Sequence, residues 1–79
     1  MSATELVFAE LTDLRAAKGL GDADISRESV LLGEELGLDS LDLATLVVTL
    51  EERSGLRPFE SGFVMFRTVG ELIDLFSHT

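Results

Sequence analysis

From Leu41 to Leu50 the chain contains neither glycine nor proline, and the segment before it, Leu36-Gly37-Leu38-Asp39-Ser40, carries the marks of a helix start. Asp39 can accept a hydrogen bond from a backbone N–H two or three residues on. Asp42 falls at the third helical position, where a carboxylate offsets the positive end of the helix dipole. Gly55 after Ser54 is a natural stop, so the helix should run from Ser40 to Ser54. Ser40 then lies in the first turn, with its hydroxyl exposed and unpaired backbone N–H groups around it. Such a position tolerates a phosphate attached to the serine, because helix N-termini favour anions.

The rest of the chain follows the same period. Ser2 with Glu5 forms a capping box, and Leu6, Val7, Leu11, Leu14 and Ala17 recur at helical spacing until Lys18-Gly19 closes a first helix. Gly19 to Leu38 is a long loop, which Leu20, Ile25, Val30, Leu31, Leu32 and Leu36 should pin across the helices, with a short helical turn from Ser29 to Glu34. Within the helix after Ser40, Leu43, Leu46, Val47 and Leu50 share a core face. Asp42, Thr45, Thr49, Glu52 and Arg53 fall opposite and should be solvated, and Leu41, Ala44 and Val48 form a third strip. Pro58 suits the first turn of a short third helix that Gly62 limits, beside an apolar cluster of Phe59, Phe63, Val64, Met65 and Phe66 whose phenylalanines should pack on the core. Thr68 with Glu71 is a second capping box, and Val69, Leu72, Ile73, Leu75 and Phe76 give a final helix its apolar face. The expected architecture is all-α.

Composition narrows the function. Seventy-nine residues make a single domain, 1–79, with no room for a large catalytic cleft. The absence of cysteine removes disulfides and thiolate metal sites, so any thioester on this chain needs a sulfur from a prosthetic group. A net charge of −9 argues against nucleic acid and anionic membrane as partners and for basic protein surfaces. No signal-like segment opens the chain and no apolar run approaches a membrane span, so a cytoplasmic protein is expected. Asp22-Ala23-Asp24-Ile25-Ser26 invites a calcium-loop reading. It fails, since Arg27 stands where that loop needs glycine and Gly33 where it needs a bidentate glutamate, and no metal site is expected. Ser40 as a catalytic nucleophile fares no better, because the only histidine is His78, near the end of the chain. No catalytic residue is expected.

Gly37-Leu38-Asp39-Ser40-Leu41 resembles the modification site of acyl carrier proteins, small acidic helical domains that hold a phosphopantetheine arm on a serine. The resemblance covers nearly the whole chain, most closely from Leu31 to Leu56. It implies a four-helix bundle of acyl-carrier-protein type, with a short third helix and a long first loop. It also implies that Ser40 receives phosphopantetheine from coenzyme A through a phosphopantetheinyl transferase. The arm's thiol would then hold an acyl or aminoacyl group as a thioester.

Partners implied by the same resemblance are a loading enzyme, acyltransferase or ketosynthase with a basic docking surface. They would meet a monomeric carrier along Asp39, Leu41, Asp42, Val48, Glu51 and Glu52. Housekeeping fatty acid carriers are usually more acidic after the serine, with acids near the positions of Thr45 and Arg53. Leu38 before the aspartate looks more like polyketide or other specialised-metabolite carriers. Peptidyl carriers usually lack the aspartate, though some stand-alone aminoacyl carriers keep it. The expectation is a discrete carrier of a specialised, polyketide-like or antibiotic pathway. A stand-alone aminoacyl or peptidyl carrier and a housekeeping fatty acid carrier are the alternatives. From a different class, the same charge and the Leu41–Val48 strip would suit an unmodified acidic helical adaptor.

Overall fold

Three capping boxes start three helices. In the computed structural model, which describes residues 2–20, 24–60 and 65–77, these are α1 (Ala3–Ala17), α2 (Ser40–Ser54) and α3 (Val69–Leu75). The Ser2 hydroxyl accepts from the Glu5 N–H at 3.1 Å, and the Thr68 hydroxyl accepts from the Glu71 N–H at 3.2 Å. In each box the glutamate reaches back to the cap's own N–H, so two otherwise unpaired donors are satisfied at once. Gly55 ends α2 in the left-handed conformation, φ 74°, which a side chain would resist.

α1 packs against both α2 and α3. Val7 and Leu11 of α1, Leu46 and Leu50 of α2, and Val69, Leu72, Ile73 and Phe76 around α3 form the core. The long loop adds Leu31, Leu36 and Leu38, so a segment without regular structure supplies part of the hydrophobic interior. The described residues are all-α in their regular elements, as the sequence suggests.

The loop departs from expectation in its details. Ser29 to Glu34 forms no helical turn; it runs beside the start of α3. The Val69 N–H donates to Ser29 O at 3.0 Å, the Leu31 N–H to Arg67 O at 2.9 Å, and the Gly70 N–H to Arg27 O at 2.8 Å. Those bonds satisfy the loop's backbone and the first donors of α3 together, which a helical turn could not do. Leu32 is exposed instead of pinned, and Met65 is exposed as well.

Phe59 and Phe66 meet with ring centroids 5.8 Å apart in a tilted pair, while Phe63 and Val64 lie outside the described residues. Pro58 to Glu60 form a turn closed by the Glu60 N–H on Arg57 O at 3.1 Å. The remainder of the expected third helix falls on 61–64, outside the described residues. Among the described residues no helix is long and apolar enough to cross a membrane.

Candidate functional site

The approach to Ser40 is built from two anchors and a hinge. Leu36 and Leu38 are both buried, and Gly37 between them turns the chain with φ 72°. The Gly37 N–H donates to Gly33 O at 3.0 Å, and the Gly33 N–H donates to Leu38 O at 3.1 Å, so the turn is tied to itself. Asp39 follows in extended conformation as the N-cap of α2. Its Oδ1 accepts from the Asp42 N–H at 2.9 Å, and Asp42 Oδ2 accepts from the Asp39 N–H at 3.0 Å. Ser40 is the first residue of α2 and is exposed.

Two cations of α1 reach this approach. Arg15 donates to Leu36 O, and Lys18, the C-cap of α1, donates from Nζ to Gly37 O at 3.0 Å and pairs with Asp42 Oδ2. The Lys18 ammonium, and after it the Asp39 N–H, holds the Asp42 carboxyl below its ordinary value of 3.8. Asp42 was expected to face solvent opposite the core; instead it is half-buried on the edge of α2 that meets α1, while Arg53 on the same edge is exposed as expected. Asp42 pairs with Lys18, and Arg53 pairs with Glu10, whose side chain is only 10% exposed. Positions 42, 46, 49 and 53 advance by three or four residues and so share one stripe, which joins the core residue Leu46 to three positions that the helical pattern sets opposite the core. The local pattern marks Lys18 as the end of α1 but not its partners across the loop, and it does not single out Glu10.

The third strip is where the sequence put it. Leu41 is 75% exposed and Val48 52%, with Ala44 exposed between them. Glu52 is exposed and Glu51 half-buried. Beside Ser40 opens a mostly apolar groove of about 530 Å³, lined by Leu32, Leu43, Ala44, Val47, Phe59, Met65 and Phe66, with Glu51 also on its wall. Among the described residues no group of three or more histidine or acidic side chains is placed to hold a metal ion. His78 lies outside the described residues.

An exposed hydroxyl at a helix N-terminus suits a phosphodiester, whose charge the helix dipole and the first N–H groups favour. The adjoining apolar groove suits an organic arm better than a polar ligand. Comparison with known proteins agrees in kind. The family described as "Phosphopantetheine attachment site" matches residues 7–76. The chain belongs to the acyl carrier protein family.

Relatives named acyl carrier protein come from several bacteria. One from Thermotoga maritima is 28% identical over 74 residues, covering 92% of this chain and 90% of the relative. Another from Saccharopolyspora erythraea is 38% identical over 71 residues, covering 90% of this chain and 67% of the relative. A third, from Chlamydia muridarum, is 38% identical over 55 residues, 70% of each chain. No solved structure matches. As an acyl carrier protein the chain is a carrier and not an enzyme, and its prosthetic group is a covalently attached phosphopantetheine. Its partners are a phosphopantetheinyl transferase and acyl-handling enzymes.

Proposed function

We propose that the arm is attached at Ser40 and that the protein is a discrete carrier of acyl or aminoacyl intermediates in a specialised, polyketide-like pathway. The observation that carries the attachment is the exposed position of Ser40 at the first turn of α2, behind a capped and anchored loop. In the transfer the Ser40 oxygen forms a bond to phosphorus and loses its proton. The pyrophosphate bond of coenzyme A breaks, and the nucleotide half leaves as a bisphosphate. The arm's thiol then carries cargo as a thioester that this cysteine-free chain could not make with its own side chains.

The pathway reading rests on the residue before Asp39 and on the charge along α2. Thr45 is exposed and neutral, Arg53 is drawn to Glu10, and Leu38 fills the core position before Asp39. α2 is therefore less acidic than the corresponding helix of a housekeeping fatty acid carrier would be. Leu41 and Val48, with Glu51 and Glu52 beyond them, form the docking edge, and Asp39 and Asp42 shape the start of the helix that presents it. Partners are basic enzymes that bind briefly, the carrier is a monomer, and its compartment is the cytoplasm.

Intact mass after incubation with coenzyme A and a broad-specificity transferase tests the attachment. Wild type should gain one phosphopantetheine and Ser40→Ala none. An arm on the Ala variant would move the site elsewhere. Loading of the modified protein by polyketide acyltransferases, amino acid-activating enzymes and fatty acid enzymes in parallel tests the pathway.

A further inference from the structure

We propose that Lys18 is a positioning residue for arm attachment: from the end of α1 it holds the Gly37–Asp42 segment in the shape a transferase must grip. The inference rests on Ser40 being the attachment site. Lys18 is the chain's only lysine. A cation at a helix C-terminus is usually accounted for by its own helix's carbonyls and by water. Here Nζ leaves them and crosses to partners far along the chain, Gly37 O at 3.0 Å and Asp42 Oδ2. One turn earlier Arg15 takes the preceding carbonyl, Leu36 O. Successive carbonyls of the approach are thus held by two cations of one rigid helix.

The grip continues into the site. The Asp42 oxygen that receives Lys18 also accepts the Asp39 N–H at 3.0 Å, and Asp39 is the residue before Ser40. A short chain of charge-assisted bonds therefore runs from α1 through Asp42 to the backbone entering the serine. Gly37, left to itself, has wide conformational freedom. Without Lys18, Gly37 O loses its donor and Asp42 keeps only the local box, so fewer molecules hold the competent shape at any moment. A partner that selects this shape then binds with an apparent affinity reduced by that fraction, while bound complexes react as before.

The test is steady-state phosphopantetheinyl transfer from coenzyme A to the full chain, varying the carrier concentration. Lys18→Ala should raise KM for the carrier roughly fivefold and leave kcat within about twofold. Lys18→Arg should recover most of the difference, and the difference should persist in raised salt. Amide exchange supplies a readout independent of the transferase: Asp39 N–H should exchange faster in Lys18→Ala than in wild type. Lys18→Met, which keeps the apolar stem, replaces the Ala variant if that variant unfolds.

An unchanged KM overturns the proposal, and so does an unchanged Asp39 exchange rate. A lowered KM also overturns it, because Lys18 would then only have been masking acidic docking charge. If Lys18→Arg behaves like Lys18→Ala, no positional role survives. Wild type modified at Ser40 with a negative result for Lys18 leaves the attachment reading standing. Wild type left unmodified removes both.

Discussion

Gly70 lies directly under the backbone of Arg27: its N–H donates to Arg27 O at 2.8 Å, and a Cβ built on Gly70 would come within 3.0 Å of the same oxygen. The first loop and the last helix therefore touch main chain to main chain, with Arg27 also paired to Asp74 on the outer side. Gly70→Ala sets two effects against each other. Alanine gains about 1 kcal/mol of helix preference. Overpacking against a carbonyl that cannot retreat without losing its hydrogen bond costs roughly 1–3 kcal/mol. The clash should win, and urea unfolding should show a lowered midpoint with an unchanged slope.

Arg53 and Glu10 fasten α2 to α1 at the end away from Ser40. Removing Arg53 leaves a nearly buried carboxylate without its cation, whereas removing both leaves nothing stranded. Arg53→Met should therefore destabilise by roughly 1–2 kcal/mol, and adding Glu10→Gln should return part of that loss. A double-mutant cycle in urea measures the coupling.

Acid should weaken the fold through two named carboxyls. Asp42 is held low by the Lys18 ammonium and the Asp39 N–H, and Glu71 by the Arg67 and Thr68 N–H groups. Both sit lower in the folded chain than their ordinary values of 3.8 and 4.5, so the unfolded chain takes up protons first as pH falls. Their contribution is whole above those ordinary values and is lost as pH drops through them towards the depressed folded values. Asp42→Asn should flatten the acid limb of a stability-against-pH curve.

On the carrier reading, Val48→Asp should separate docking from folding. Val48 is half out in solvent, so the isolated fold should lose little. In a desolvated contact an unpaired carboxylate costs roughly 1–3 kcal/mol, which should appear as faster dissociation from a loading enzyme. A Val48→Asp protein loaded at the wild-type rate would take this strip out of the interface.

The helix starts were legible because capping is local. Ser2 with Glu5, Asp39 with Asp42 and Thr68 with Glu71 each lie three residues apart, and each box forms as its spacing implies. The exposure of Leu41 and Val48 was equally readable from the helical period. What the chain did not disclose were partners distant in sequence. That Lys18 meets Asp42, that Arg53 meets Glu10, and that Leu31 is buried while Leu32 is not all depend on how the loop crosses α1 and α3. Alternation along a loop has no fixed period, so neighbours such as Leu31 and Leu32 cannot be sorted before the fold is known.

The exposed leucine and valine of α2, together with Leu32 and Met65, have a colloidal consequence. A small protein that leaves such side chains in water stays dispersed while its copies repel one another, and each copy carries a net charge of −9 at neutral pH. Near the isoelectric point of about 4.2 that repulsion vanishes while the greasy strip remains. There the exposed strip meets its counterpart on another copy, and turbidity should rise before the helices melt.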